Sequence, residues 1–123
     1  MAENKKFFSR DEILKLQDRK TEEVFVPEWG CSVLVKEMSA ADRDQLDALM
    51  VKREGDKIVG DVTNQRAKIV VMTAVNEKGE RLFSADDVAA LAEKNGKAIN
   101  RIYEAAVMLG VLQADAIDEA AKN

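Results

Sequence analysis

TEEVFVPEWGCSVLVKEMSAADRDQL, residues Thr21–Leu46, is the stretch that decides the fold of this chain. Two segments in it, Val24–Val26 and Ser32–Val35, are rich in the β-branched and aromatic residues that are typical of strands. Pro27–Gly30 between them favours a turn, because proline fixes its own φ at about −65° and glycine adopts a positive φ without steric cost. The stretch therefore predicts a small antiparallel β-hairpin at about residues 23–37.

A helix is predicted directly after the hairpin. Ser39 and Asp42 have the spacing of a helix N-cap and an acidic residue three positions later, and the helix dipole favours an acid in the first turn. Leu46, Leu49 and Met50 then recur at spacings of three and four residues, which places their side chains on one helix face. We expect this face to be buried against the core.

A short helix is predicted before the hairpin, over about Arg10–Gln17. Ser9 and Glu12 have the spacing of a capping box, and Phe8 with Ile13 fits a hydrophobic staple. The apolar stripe of this helix is too short to make it stable in isolation. We therefore expect it to dock, either on the hairpin or on another subunit.

The middle of the chain is predicted to contain a buried helix at Val62–Val75. Its length and polar start favour a helix, although a buried strand is the alternative for so apolar a run. Before it, Glu54–Lys57 predicts a turn and Ile58–Val59 a brief strand. After it, a turn at Asn76–Gly79 leads into an extended segment, Arg81–Phe83.

Two further helices complete the predicted fold. Ser84 and Asp87 cap the first, and Asn95–Gly96 is typical of its C-terminal end. The last helix is expected to run to about Leu112, with these side chains inward: Ile99, Ile102, Tyr103, Ala106, Val107 and Met108. The predicted class is α+β, with one small antiparallel hairpin packed against four to five helices in a single domain, residues 1–112. Residues 113–123, rich in alanine and acids, are expected to fray.

Length and composition limit the class of protein. The 123 residues suffice for one domain with its own core. The composition, 46% hydrophobic and 34% charged, is too apolar for a disordered protein, and no run approaches about 18 apolar residues, so no membrane span is predicted. The net charge is −4 and the bases are not clustered, which argues against a nucleic-acid partner. The first residues lack a secretory pattern, so we expect a cytoplasmic protein.

The residues that most catalytic sites use are missing or badly placed. The chain has no histidine, which excludes triads of the Ser-His-Asp and Cys-His types. Cys31 is the one cysteine, so neither an internal disulfide nor a familiar zinc site can form. Asp42, Asp44 and Asp47 lack the glycine and the final glutamate of a calcium loop. We predict a non-enzyme without catalytic, cofactor-binding or metal-binding residues.

Protein contacts are the remaining class of function, and five apolar residues are candidates for them. Trp29 lies in the predicted turn, where its ring serves either as a lid on the core or as an anchor for a partner. Phe7 precedes the first helix and has no predicted intramolecular contact. Met108, Leu109 and Leu112 belong to a group that surrounds the last helix too completely for one buried face. Core packing explains some of them, and a partner or a second subunit would cover the rest.

The order of these parts resembles the tail assembly chaperones of long-tailed bacteriophages, found in siphoviruses and prophages. The resemblance begins with the short helix around Ile13–Leu16 and continues through Glu22–Gly30 and Val33–Arg43. It is found again in Asn76–Val88 and in Leu91–Lys94. Most of the chain, from about residue 13 to residue 112, is covered, and the motifs are structural rather than catalytic.

The resemblance implies a non-enzymatic role in the cytoplasm of the bacterial host. Proteins of this family bind the tape-measure protein, keep its apolar segments soluble and help the tail tube to polymerise around it, and they are absent from the mature virion. Several copies along one tape measure imply self-association. The resemblance supplies no residue-level binding motif. The alternative function is a structural tail or connector component, or a generic protein–protein adaptor.

Many members of the family are also made in a longer form by ribosomal frameshifting. Ala121–Asn123 can be encoded as GCA AAA AAC, whose last seven bases form a slippery run, although other codons fit the same residues. The resemblance implies that such a longer form would contact the tail tube protein.

Overall fold

A computed structural model of the chain describes residues 6–110. In chain order its elements are α1 (Arg10–Leu14), β1 (Thr21–Val26), β2 (Cys31–Lys36), α2 (Ala40–Leu49), β3 (Val51–Glu54), β4 (Lys57–Gly60), α3 (Gln65–Thr73), β5 (Ala74–Val75), α4 (Val88–Ala92) and α5 (Gly96–Met108). A single 3₁₀ turn, Ala85–Asp87, precedes α4. Within the described residues, five helices and two antiparallel sheets of three and two strands confirm the predicted small α+β domain.

The predicted hairpin is confirmed, and its first strand begins two residues earlier than expected. β1 and β2 pair antiparallel along their whole lengths, with Val26 opposite Cys31 beside the turn. The backbone N–H of Trp29 donates to the carbonyl of Val26 over 3.0 Å and closes this turn. Gly30 has a φ of 65°, in the left-handed region that glycine reaches without a steric penalty.

The buried helix is confirmed as a helix, but it is shorter than the predicted Val62–Val75. α3 begins only at Gln65, and Ala74 and Val75 leave the helix to form β5, which pairs with β2. This pairing sets the strand order β1-β2-β5. Ala74 and Val75 are buried, so their backbone carbonyl and amide groups must be hydrogen-bonded. The open edge of β2 supplies the partners for these hydrogen bonds. The last two residues of the apolar run therefore belong to the sheet and not to α3.

The core is built around α3, which packs against α2, α4 and α5, while α5 also packs against the β1–β2 hairpin. All nine residues from Ala67 to Val75 are buried. On α5 the buried residues recur every three to four positions and so form one face: they are Ala98, Ile99, Ile102 and Ala106. The hairpin contributes Val26, Val33 and Val35 to the same core.

Both ends of α5 differ from the prediction. Asn95 is the N-cap of α5 rather than the end of α4, because its side-chain oxygen accepts hydrogen bonds from the backbone N–H groups of Lys97 and Ala98 over 2.9 and 3.1 Å. The helix ends at Met108, before the predicted Leu112, and Gly110 follows with a φ of 92°.

A second hairpin, formed by β3 and β4, extends from the end of α2. The predicted turn at Glu54–Lys57 is confirmed, with Gly55 at a φ of 63°. The strand β3 was not predicted, because Val51 extends the apolar stripe of the preceding helix. Seven of the eight strand residues are exposed, and only Val59 is half-buried. This hairpin therefore contributes little to the core.

No helix of the described part of the chain is both long and apolar enough to span a membrane.

Candidate interaction surface

Local sequence alone accounts for the formation of α1. The Ser9 hydroxyl oxygen accepts a hydrogen bond from the backbone N–H of Glu12 over 3.2 Å, and the backbone N–H of Ser9 donates to the Glu12 carboxylate over 2.9 Å. These two bonds complete the predicted capping box. Hydrogen bonds from the Ser9 backbone and then from its hydroxyl lower the pKa of Glu12 below its ordinary value.

The apolar side chains around α1 are exposed. We call residues 7–16 the N-terminal apolar segment; its large apolar residues are Phe7, Phe8, Ile13, Leu14 and Leu16, with exposures of 87, 38, 54, 67 and 46%. Within the described residues, α1 has no buried residue. The hairpin is therefore not its docking site, which leaves another subunit as the predicted alternative. A five-residue helix gains little stability by itself, so this surface is suited to contact with another protein.

The chain is fixed again immediately after this segment. The backbone N–H of Lys20 donates to the Glu37 carboxylate over 2.6 Å, and the backbone N–H of Glu37 donates to the carbonyl of Lys20 over 2.8 Å. Arg19 lies 3.5 Å from a carboxylate oxygen of Asp42. Only three residues therefore separate Leu16 from Lys20, the first residue of the chain that is anchored through its backbone.

Asp42 joins three parts of the chain at the start of α2. It caps the helix by accepting a hydrogen bond from the backbone N–H of Ser39 over 3.0 Å, and it forms an ion pair with Arg81. Arg81 also donates to Gln45 over 2.8 Å. Burial opposes ionisation of Asp42, but the hydrogen bonds from Ser39 and Arg81 outweigh it and hold the pKa of this carboxyl below its ordinary value. The cluster is structural.

Trp29 is half-buried and packs against the core at the turn of the β1–β2 hairpin. Of its two predicted roles, this placement matches the lid. The neighbouring Glu28 accepts two hydrogen bonds from Arg101 on α5, of 2.8 and 2.9 Å. These bonds lower the pKa of Glu28 and raise that of Arg101. The turn is thereby fixed beside the first half of α5.

Met108 and Leu109 lie at the opposite end of α5. Met108 is 83% exposed, so its predicted inward orientation is wrong. At 3.6 residues per turn, a residue two positions after the buried Ala106 lies on the other side of the helix. Leu109 is half-buried and lines a small cleft of about 90 Å³ together with Lys36, Thr73 and Gly110.

The five predicted contact residues therefore do not form one patch. Met108 and Leu109 are adjacent, Trp29 lies at the other end of α5, and Phe7 belongs to the N-terminal apolar segment. Leu112 lies outside the described residues.

A groove that the sequence did not predict lies where the first turns of α3 and α5 meet the end of α4. It has a volume of about 310 Å³, and its apolar lining consists of Val62, Ala67, Leu91, Ala92 and Ile99. Arg66 and Lys94 stand among its lining residues, and none of the lining residues is acidic. We call it the α3–α5 groove. The only sequence signal for it is the alanine-rich α4, whose small side chains leave space beside Leu91.

The described surfaces carry exposed apolar side chains, and the carboxyl groups with lowered pKa values have structural roles. Among residues 6–110, no group of three or more His, Cys, Asp or Glu side chains is arranged to hold a metal ion. The lowered carboxyl pKa values, at Glu12, Glu28, Asp42 and Asp61, arise from helix caps, an ion pair and a turn. Exposed apolar side chains, in contrast, are the usual mark of a protein-binding surface.

Comparison with known proteins identifies a similar solved structure and the family of this chain. The solved structure of the bacteriophage HK97 tail assembly chaperone is similar to this chain, with a TM-score of 0.53 at 19% identity, over 80% of this chain and 90% of the other. At that identity the likeness extends to the fold alone. No curated protein matches the sequence. The family model for the phage tail assembly chaperone matches residues 13–123, nearly the whole chain, so this chain belongs to the phage tail assembly chaperone family.

Proposed function

We propose that this chain is a non-enzymatic chaperone that binds the tape-measure protein of its phage in the cytoplasm of the bacterial host. It keeps the apolar segments of that long helical protein soluble, assists polymerisation of the tail tube around it, and leaves before the virion is complete. Membership of the tail assembly chaperone family supports this role. The observation that carries it is the exposed apolar surface at both ends of the described chain, at Phe7 and at Met108.

The proposed contacts are the five residues selected from the sequence: Phe7, Trp29, Met108, Leu109 and Leu112. Phe7 and Met108 carry most of the binding, because their side chains are more than four-fifths exposed and gain most from burial. Trp29 and Leu109 are half-buried and support the contact mainly through their packing on the core. Self-association places several copies along one tape-measure chain.

Co-expression with the tape-measure protein of the same phage tests the proposal. We expect a soluble complex that contains several copies of this chain, and we expect Phe7→Ala combined with Met108→Ala to lower recovery of the partner by at least about tenfold. Ile58→Ala is the matched control, since Ile58 is 66% exposed on the separate β3–β4 hairpin. Adding Leu112→Ala to the double variant tests the fifth residue.

Two results would change the assignment. A complex that survives all three alanine substitutions would keep the chaperone function and remove the proposed contacts. No complex, together with recovery of this chain from purified virions, would favour the structural tail or connector component instead.

We also propose the longer frameshifted form, which would reach the tail tube protein. Synonymous codons at Ala121–Asn123 that interrupt the run of adenines should abolish the longer product without changing the shorter one. Persistence of the longer product after that recoding would exclude this site of slippage.

A further inference from the structure

We infer that the C-terminal segment of this chain folds back along α5 and places Ile117 in the α3–α5 groove of the same molecule. The segment is Val111–Asn123, VLQADAIDEAAKN, which lies outside the described residues. The inference does not depend on which protein the chaperone binds. It assigns an occupant to a groove that the proposed function does not use, and it gives the segment a docking surface in place of the fraying expected from its composition.

One flank of α5 connects the groove with the start of the C-terminal segment. Five residues follow one another on it at spacings of four and three, and so share one side of the helix: Gly96, Asn100, Tyr103, Val107 and Gly110. Gly96 lines the groove, and Gly110 directly precedes the segment. The three residues between them are half-buried. A chain that leaves Gly110 along this flank therefore reaches the groove without crossing the helix.

The end of α5 directs the chain away from the helix axis. Gly110 has a φ of 92°, and its backbone N–H donates to the carbonyl of Val107 over 2.8 Å. A glycine with a positive φ directly after a helix is a common way to end it. Arg43 donates to the carbonyl of Gly110 over 3.3 Å, which fixes this residue on the domain. The segment therefore starts from a fixed point and does not continue α5.

The segment is long enough to reach the groove if it is extended. Measured along α5 from Gly110, Ile99 is about 16 Å away and Gly96 about 21 Å away, at about 1.5 Å per residue. The seven residues from Gly110 to Ile117 span up to about 23 Å at about 3.3 Å per residue. As a helix, the same seven residues would span only about 10 Å. Ile117 therefore reaches the groove from an extended chain and not from a further helix.

An extended chain also determines which side chains face the domain. Side chains alternate along it, so Asp115, Ile117 and Glu119 lie on one side, and Leu112 and Asp118 lie on the other. When Ile117 enters the groove, one carboxylate stands before it and one after it. Leu112 stays on the outer side, where it is available for the proposed partner contact.

The groove has a basic side chain at each end to match these two carboxylates. At the end nearer Gly110, Arg66 donates to Asn100 over 2.9 Å, and its guanidinium lies 4.9 Å from the centroid of the Tyr103 ring. At the other end, Lys94 lies just before α5 begins. None of the lining residues is acidic. In chain order, Asp115 therefore meets Arg66, Ile117 meets the groove, and Glu119 meets Lys94.

The two basic side chains have charge to offer. Among residues 6–110, neither Arg66 nor Lys94 forms an ion pair. Glu104 adjoins the flank, but it is exposed, and its carboxylate accepts a hydrogen bond from the amide of Asn100 over 2.6 Å. Arg66 contacts the oxygen of that amide, so the two charges are separated by Asn100.

Connectivity favours this segment over a separate apolar partner. Short flexible linkers hold a tethered group at an effective concentration in about the millimolar range. A separate segment of similar chemistry must therefore displace the tethered one. The family match also extends to Asn123, so the segment belongs to the unit that the family shares. The groove is thereby covered in the free chaperone, while Met108 and Leu112 stay accessible.

Cross-linking of the full chain tests the inference. Cys31→Ser removes the chain's one cysteine, which is exposed on β2. Val62→Cys then places a thiol at the edge of the groove, and Ala116→Cys places one next to Ile117. Val62 is 72% exposed and lies outside every helix and strand, so the core is spared. A short bismaleimide joins the two thiols, and mass spectrometry follows the rate at several protein concentrations.

Lys97→Cys replaces Val62→Cys in the matched control. Lys97 is exposed at the same level of α5, between Gly96 and Ile99, and does not line the groove. A segment that moves freely over the surface would react equally with both positions. We expect the Val62→Cys chain to react at least about tenfold faster, because docking raises the local concentration of the second thiol. The product should be an intramolecular link whose yield does not depend on protein concentration.

Two substitutions in the segment separate docking from tethering. Ile117→Gln should slow the reaction with the groove thiol at least about tenfold, because it removes the side chain that the groove buries. Ala114→Gln, on the outer side of the extended chain, should leave the rate unchanged.

The charges have their own matched pair of variants. Asp115→Asn combined with Glu119→Gln should slow the reaction by about two- to fivefold at low salt, since exposed ion pairs contribute little. Asp118→Asn, on the outer side, should have a smaller effect. Added salt should reduce the difference between these two variants, because it screens exposed charges.

Three results would overturn the inference: equal rates at Val62→Cys and Lys97→Cys, an Ile117→Gln chain that reacts as fast as Ala114→Gln, or a covalent dimer as the main product. The last result would show that the segment docks on another copy. If circular dichroism shows that Val62→Cys disturbs the fold, Ala92→Cys replaces it, since Ala92 is exposed and also lines the groove. None of these results affects recovery of the tape-measure complex, so the proposed chaperone function is judged separately.

Discussion

Ile102 and Met108 lie six residues apart on α5 in opposite environments. Ile102 is fully buried between α3 and the β1–β2 hairpin, whereas Met108 is 83% exposed beyond the last buried turn. Both are large and apolar, so hydrophobicity does not distinguish them. The difference between them is their position relative to the buried face of α5.

Substitution of these two residues by alanine should separate stability from binding. We expect Ile102→Ala to lower the free energy of unfolding by about 2–5 kcal/mol, because it removes a buried side chain and leaves a cavity. Met108→Ala should change it by less than about 0.5 kcal/mol, because surface truncations have small effects. Urea unfolding followed by circular dichroism measures both. A comparable loss for Met108→Ala would mean that its side chain is buried in solution.

Among the elements, α1 is well capped but has no core to pack on. Its capping box is complete, yet none of its residues is buried within the described chain. The folded domain instead begins at Arg19 and Lys20, which contact Asp42 and Glu37. Formation of α1 and stability of the domain are therefore separate properties.

Two N-terminal deletions, four residues apart, should show this boundary. Removal of residues 1–16 should leave the free energy of unfolding within about 0.5 kcal/mol of the wild type, because residues 6–16, the described part of this segment, are all exposed. Removal of residues 1–20 also deletes the Arg19 and Lys20 contacts and should cost roughly 1–3 kcal/mol, since it leaves the polar partners of those residues unsatisfied. Urea unfolding measures both, and equal stabilities would show that the domain begins later than Lys20.

Among the helices and strands, the sequence predicted best those elements whose determining residues lie close together in the chain. The β1–β2 hairpin and the caps at Ser9 and Ser39 rest on residues within a few positions of one another, and all are present. Ser84 precedes the 3₁₀ turn instead of α4, and its backbone N–H donates to the Asp87 carboxylate over 2.8 Å. β5 is different, because Ala74 and Val75 become a strand only when the distant β2 offers its edge. The strand β3 was missed because four residues in a local hairpin carry little pattern of their own.

At the scale of the whole molecule, the candidate interaction surfaces could be predicted only in part. Phe7 and Met108 are both exposed, although the last-helix pattern had placed Met108 inward. The α3–α5 groove could not be foreseen, because its walls come from three helices that are brought together only by folding. Exposure depends on which faces meet, and one sequence without its tertiary contacts does not specify that.

The dependence of the domain's folding stability on pH follows from its lowered carboxyl pKa values. Hydrogen bonds from Arg101 lower the pKa of Glu28 below its ordinary 4.5, and those from Ser39 and Arg81 lower that of Asp42 below its ordinary 3.8. A carboxyl with a lowered pKa in the folded state stabilises the fold above its unfolded pKa, and this contribution is lost as the pH falls through the folded value. Because the chain has no histidine, stability should be nearly constant from about pH 6 to about pH 8. It should then decrease below about pH 4.5.

Glu28→Gln provides the specific test of this dependence, with Glu22→Gln as the control, because Glu22 is an exposed residue on β1. At neutral pH we expect Glu28→Gln to lower the melting temperature by a few degrees at most, since the Glu28–Arg101 pair is partly exposed to solvent. The difference from the wild type should shrink as the pH falls below the ordinary pKa of Glu28 and its carboxylate becomes protonated in both states. Thermal unfolding at several pH values measures this convergence. If the two curves instead remain parallel down to the lowest pH at which the protein folds, the ionised form of Glu28 does not stabilise the hairpin against α5, and its packing alone would explain the effect.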